Sequence, residues 1–176
     1  VITANGSASH STTQAKIGAS SYYNDGTSTT TPGNTLTIGD SDDWDWGTEP
    51  YTVDMWIYST NLSSWGGFVD MNTTSDEWTF AQSDTGKIRL YDQGGPHKIE
   101  SSTTLIVNTW YHVALVRVSG GNTKMYINGI HEGSVYADTT DHDYDAVYVG
   151  GFNEATYDFT GYIDELRISK GIARWT

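Results

Sequence analysis

Between Tyr51 and Ser59 the large side chains come at every second position: Tyr51, Val53, Met55 and Ile57 alternate with Asp54, Trp56 and Tyr58. A period of two is the signature of the pleated strand, in which successive side chains leave on opposite faces. Bulky groups on both faces place this run, and the similar run Tyr111–Ser119, in the middle of a sheet covered on both sides. Shorter runs of the same kind recur at Ser20–Tyr23, Thr35–Ile38, Gly67–Asn72, Glu77–Gln82 and Lys87–Asp92. Others follow at Lys98–Ser101, Lys124–Asn128, Gly133–Tyr136, Ala146–Gly150 and Tyr162–Ser169. Turn-forming groups separate them, including Asp25-Gly26, Gly66-Gly67, Asp84-Thr85-Gly86, Gly94-Gly95-Pro96 and Asn128-Gly129. Many short strands at regular spacing predict an all-β fold, a sandwich or barrel. Asn128-Gly129 fits a two-residue type I′ hairpin between Lys124–Ile127 and Ile130–Glu132. The single helix candidate is one turn near Ile172–Arg174. Residues 1–14 are polar and read as a flexible or edge segment, leaving 15–176 as the domain.

Alternation in the last run puts Tyr162, Asp164, Leu166 and Ile168 on one face and Ile163, Glu165 and Arg167 on the other. The first face is the more apolar and so is expected to be buried. It carries Asp164, and a buried carboxylate is costly unless it is paired, hydrogen-bonded or bound to metal.

At 176 residues the chain has the length of one domain with a real core. Its net charge of −13 makes nucleic acid and anionic membrane surfaces poor partners. No apolar run reaches transmembrane length. The absence of cysteine excludes a disulfide framework, thiol catalysis and Cys-based zinc sites. A start at Val1 without Met reads as a domain excised from a larger protein.

Several segments resemble one family. Leu36–Gly39, Asp42-Asp43-Trp44-Asp45-Trp46-Gly47 and Tyr51–Ile57 look like its N-terminal signature, and Asn108–Ala114 its middle strand. Met125–Gly129 resembles its hairpin and Gly161–Ile168 its closing strand. The family is that of laminin G-like, concanavalin A-like jelly rolls, and the resemblance spans Lys16 to Thr176. The tail Ser169–Thr176 is similar to the version found in bacteriophage and environmental-virus fibre proteins. The resemblance implies a two-sheet antiparallel β-sandwich, an extracellular or virion-surface setting, and a glycan or protein partner, with a parent fibre as a route to a homo-oligomer. Calcium is a frequent cofactor of such domains. The resemblance implies a structural calcium held by Asp164 and by an N-terminal loop, here Tyr23, Asp25 and Gly26. The residues themselves leave a second reading open, in which Asp164 accepts hydrogen bonds from backbone amides.

Two acidic loops stand out, Asp40–Asp45 and Asp138–Asp145. The run Asp141-x-Asp143-x-Asp145 is not an EF-hand loop, because the sixth position is Ala146 rather than Gly and the twelfth is Phe152 rather than Glu. They read as solvated loops.

Aromatic rings in or beside loops suit a sugar, stacking on its apolar C–H face while carboxylate and amide groups take the hydroxyls. The candidates are Trp65, Tyr91, Asp92, Gln93, His97, Tyr144, Asn153 and Tyr157. Glycosidic hydrolysis needs two carboxyls at a set separation. Hydrolases of this resemblance carry them as alternating Glu, Asp and Glu on one strand, a pattern absent here. The sequence therefore points to a non-catalytic, lectin-like carbohydrate-binding module, against a protein-binding adhesion module and a glycoside hydrolase as rivals.

Overall fold

The computed structural model describes residues 1–72, 77–153 and 156–175. Among these, fourteen strands form two antiparallel sheets of seven, packed face to face. They are β1 (Ile2–Ala4), β2 (Ser9–Ser11), β3 (Ser21–Asp25), β4 (Leu36–Ile38), β5 (Tyr51–Ser59), β6 (Gly66–Asn72) and β7 (Glu77–Gln82). Then come β8 (Lys87–Asp92), β9 (Ile99–Thr104), β10 (Trp110–Val118), β11 (Asn122–Ile127), β12 (Ile130–Ala137), β13 (Ala146–Val149) and β14 (Thr160–Lys170). The first sheet has the order β1-β4-β13-β6-β7-β8-β9, and the second β12-β11-β10-β5-β14-β3-β2. The N-terminal segment supplies an edge strand to each sheet. No helix occurs among the described residues; the helical turn expected near Ile172 is instead a tail that crosses the second sheet, tied through Thr52 to Ile172 and Arg174.

The core lies between the sheets. Val53, Met55 and Ile57 of β5 and Val113 and Leu115 of β10 meet Val69, Met71, Trp78, Phe80 and Leu90 from the first sheet. At one end Trp46 packs against Tyr51, Trp78 and Tyr144. Burying each such side chain is worth about 1.5–3 kcal/mol. Gly161 is where β14 comes closest to β5: with φ of +150°, a Cβ there would lie 2.1 Å from the Tyr58 carbonyl oxygen.

Strand β14 corrects the expected phase. Asp164 pairs with Trp56 but Arg167 pairs with Asp54, so two residues of β14, Glu165 and Leu166, oppose the single Met55 of β5. This is a β-bulge, with Glu165 at φ of +50°. The bulge switches faces: Ile163 points inward before it, and Leu166 and Ile168 pack inward after it. Asp164 shares its side with Tyr162, opposite Tyr58 and Trp56, on the outer face of the second sheet. It is buried there by the N-terminal segment, not by the inter-sheet core.

Candidate functional site

Strand register builds two rows of side chains on the outer face of the first sheet. Tyr148, Asp70, Thr79 and Tyr91 stand side by side across β13, β6, β7 and β8. Beside them run Gly67, Ala81, Arg89 and Glu100. The Asp70 carboxylate is buried and accepts bonds from the Thr79 hydroxyl at 2.5 Å and the Asn153 amide at 3.2 Å, which ties the 150s loop onto the sheet. Gly67 makes room for that loop: a Cβ would lie 2.5 Å from the Phe152 ring. The Gly67 amide donates to the Tyr157 carbonyl oxygen at 3.0 Å.

Rings gather on both sides of this glycine. Trp65 lies 5.7 Å from Tyr91, which lies 6.1 Å from His97, while Phe152 and Tyr157 pair at 5.1 Å. The Arg89 guanidinium stands 5.0 Å from the Trp65 ring centre and binds Glu100 through Nε at 2.6 Å. Hydrogen bonding and charge from Arg89, followed by Lys87 and His97, hold the Glu100 carboxyl below its ordinary range despite slight desolvation. Partly exposed rings beside a fixed guanidinium–carboxylate pair offer stacking surfaces together with donors and acceptors for hydroxyls.

Three of the residues singled out from sequence thus come together, Trp65, Tyr91 and His97, while Asn153 and Tyr157 sit on the 150s loop tied to the same sheet through Asp70 and Gly67. Gln93 stands exposed in the turn after β8. Asp92 and Tyr144 do not join them. Alternation along β8 sends Asp92 inward, fully buried, and Tyr144 lies in the core against Trp46 and His142. Neither presents a group to a surface ligand. Arg89 and Glu100 were not anticipated; their signal was the shared phase of Arg89 with Tyr91 in β8.

Asp92 belongs to a buried polar cluster with Asp138, His142 and Arg117. Asp138 accepts from Thr123, Tyr51 and the Thr140 amide, and lies 3.2 Å from His142 Nε2. His142 Nδ1 is 2.6 Å from the Tyr144 hydroxyl. Asp92 Oδ2 accepts from Tyr136 and Thr140, while Oδ1 accepts no hydrogen bond and lies 3.9 Å from His142 Nδ1. Candidate ligand atoms of Asp92, Asp138 and His142 lie within 4.8 Å of one another. The donor set is nonetheless poor for a cation: both His142 nitrogens are engaged, and Arg117 already places a positive charge 3.6 Å from Asp138. Burial and the neighbouring Asp138 carboxylate disfavour the charged form of Asp92. Desolvation, followed by the opposing pull of His142 and the repulsion of Asp138, raises the Asp92 pKa. A carboxyl whose pKa is raised by folding contributes most below its unfolded value and progressively less as pH climbs to the folded one. Asp92→Asn removes a charge that burial disfavours and is therefore expected to stabilise the fold at pH 7. The gain should fade toward pH 4, as urea melts at both pH values would reveal.

A family profile described as the concanavalin A-like lectin/glucanases superfamily, of the Laminin G type, matches residues 28–173. The chain belongs to this superfamily. Three solved structures share the superfamily fold at low identity. Domain 4 of AbnA, a GH43 extracellular arabinanase from Geobacillus stearothermophilus, solved with arabinotriose, is 21% identical with a TM-score of 0.75, over 98% of this chain and 82% of that one. The carbohydrate-binding module CBM66 from Bacillus subtilis is 14% identical with a TM-score of 0.58, over 96% and 94%. Domains LG4-5 of the mouse laminin alpha1 chain give 14% and 0.61, over 92% of this chain and 48% of that one. No curated protein matches the chain in sequence.

In this lectin/glucanase chain the expected calcium set is not assembled. Asp164 Oδ2 accepts the Lys16 amide at 2.8 Å and the Ile17 amide at 2.9 Å, and Oδ1 accepts the Glu165 amide at 2.9 Å. Tyr23 pairs with Tyr162 and Asp25 with Thr160, so Asp25 and Gly26 lie several residues along the strand from Asp164. Asp25 Oδ1 is itself taken by Ser7, Thr27 and Asn34. Three backbone amides thus satisfy the Asp164 carboxylate, the second of the two readings that the sequence leaves open. Asp164→Asn should accordingly leave unchanged any shift of the melting midpoint between calcium and EDTA, whereas loss of such a shift would put a cation at Asp164.

Proposed function

We propose that this domain is a non-catalytic carbohydrate-recognition module whose ligand lies on the outer face of the first sheet. The observation carrying this reading is the gathering of Trp65, Tyr91 and His97 around the Arg89–Glu100 pair. Trp65 and Tyr91 offer stacking faces to pyranose or furanose rings, and the guanidinium and carboxylate take adjacent hydroxyls. Asn153 and Gln93 add amide groups at the border. Support comes also from two neighbours of the same fold, one solved as a carbohydrate-binding module and the other with arabinotriose bound. Neighbours of this fold also occur within a sialidase from Trypanosoma rangeli, so a place inside a larger glycan-processing protein accords with the reading.

The setting is extracellular or on a virion surface, within a longer fibre-type protein. No helix among the described residues is long and apolar enough to cross a membrane. A single shallow face of this kind binds weakly, and a fibre that displays several copies gains avidity through effective concentration. A glycan array probed with multimerised protein, with and without calcium, tests the proposal. Retention of a defined glycan class is the expected result, and an array without a hit in either condition would oppose it.

A further inference from the structure

We propose that the outer face of the second sheet carries a separate binding strip for an extended, uncharged sugar chain, formed by Tyr23, Tyr162, Tyr58 and Trp110. Strand register sets these four rings side by side across β3, β14, β5 and β10. Tyr162 pairs with Tyr23 on one side and with Tyr58 on the other, and Tyr58 pairs with Trp110. Their chain neighbours Tyr22, Ile163, Ile57 and Tyr111 pack into the inter-sheet core, so alternation turns the four rings outward. Successive ring centres lie 4.8, 5.7 and 5.3 Å apart, each step following the spacing between neighbouring strands.

A cross-strand row of rings also supports a sheet. Three features go beyond that role. The polar tips are unengaged: no described residue shares a hydrogen bond with the Tyr23, Tyr58 or Tyr162 hydroxyl or with Trp110 Nε1, and none of these atoms is sealed from solvent. Burial, followed by Tyr23 and Tyr58, raises the Tyr162 pKa, which marks the three hydroxyls as neighbours. The row is also left open. The C-terminal tail crosses the same sheet but packs Ala173 and Trp175 on Ala114, Val116 and Tyr126. Lastly, no charged side chain interrupts the row; Lys16 lies over Trp56, outside it. The first-sheet face has its Arg89–Glu100 pair, whereas this strip has only ring faces, hydroxyls and an indole N–H. That chemistry fits a neutral sugar, its C–H faces on the rings and its hydroxyls on the tips. Four rings in line span more than one sugar unit and so favour a chain over a single residue.

The test titrates neutral hexasaccharides of glucose, xylose, mannose and arabinose, and the corresponding disaccharides, into the protein and into its Trp65→Ala/Tyr91→Ala variant. At least one hexasaccharide is expected to shift the Trp110 indole N–H signal saturably, and to bind at least tenfold more tightly than its disaccharide. The shift should persist in the double variant, in which the first-sheet face is silenced, so the two sites stand or fall separately. In that background Trp110→Ala should weaken binding about three- to tenfold by calorimetry. Tyr58→Phe keeps the ring and the fold and should weaken it about two- to tenfold through the lost hydroxyl. A Trp110 signal that no hexasaccharide moves, or equal affinity for long and short chains, would overturn the proposal. So would a dimer in sedimentation that Trp110→Ala dissociates, which would seat a second copy on the row.

Discussion

Replacing Arg117 with methionine should destabilise the domain by about 3–5 kcal/mol, the cost of leaving one partner of a buried ion pair without its counterion. For a domain of this size that lowers the melting midpoint by on the order of 10 °C. The guanidinium is 1% exposed and holds one end of the sandwich together. Its Nη1 donates to the carbonyl oxygens of Gly47 and Thr140 at 3.1 and 3.0 Å, and Nη2 to that of Asp138 at 2.9 Å. Methionine fills the volume but takes the donor from the Thr140 and Asp138 carbonyl oxygens and removes the cation beside Asp138, whose pKa lies below its ordinary range. Desolvation works against that depression, but His142 and Arg117 prevail. The same residues join the two acidic loops, since the Gly47 amide donates to the His142 carbonyl oxygen at 2.8 Å and the His142 amide returns the bond at 3.1 Å. Chemical denaturation of the variant checks the value; a loss below about 1 kcal/mol would show that the cluster is not a single unit. Sugar affinity of the folded variant should be unchanged, because Arg117 lies on β10, away from the first-sheet face.

The second large effect falls on binding. Trp65→Ala and Tyr91→Ala together should weaken affinity for whatever glycan the domain retains by about 30- to 100-fold, taking roughly 1–1.5 kcal/mol for each lost ring contact. Both side chains are partly exposed and outside the inter-sheet core, so the double variant should melt within a few degrees of the parent. Trp65→Ala alone also frees Arg89 from its cation–π contact, worth about 0.5–1 kcal/mol at such a site. The two single variants are therefore not expected to be additive, since Tyr91 accepts a hydrogen bond from the same guanidinium at 3.4 Å. A double variant that binds as tightly as the parent, measured by affinity electrophoresis or calorimetry, would place the ligand elsewhere.

Where alternation was strong, the chain announced its own structure. Tyr51–Ser59 and Lys87–Asp92 begin and end where their periodicity does, and Asn128-Gly129 closes its hairpin with Asn128 at φ of +51°. Alternation fails at a bulge, because one inserted residue shifts every later side chain to the other face without altering the pattern on either side. That is why Asp164 looked like a core acid while Leu166 and Ile168 do the inward packing. The candidate sugar face was legible in part. Trp65, Tyr91 and His97 were visible as loop-side aromatics, but Asp92, one residue after Tyr91, faces the opposite way. Tyr144 reads as an exposed ring because its acidic neighbours look solvated, whereas it packs edge-on against Trp46 in the core. Arg89 and Glu100 come opposite each other only through the pairing of β8 with β9, and register between strands is not written in the pattern of either.

The central claim is that a glycan docks on the outer face of the first sheet, and the indole N–H signals of the seven tryptophans test it most directly. Titrating the glycan retained on the array, followed by NMR, should move the Trp65 signal in a saturable way. The core signals of Trp46 and Trp78 should stay in place. Saturable shifts confined to Trp56, Trp110 or Trp175, with Trp65 unmoved, would contradict the account and transfer recognition to the second sheet.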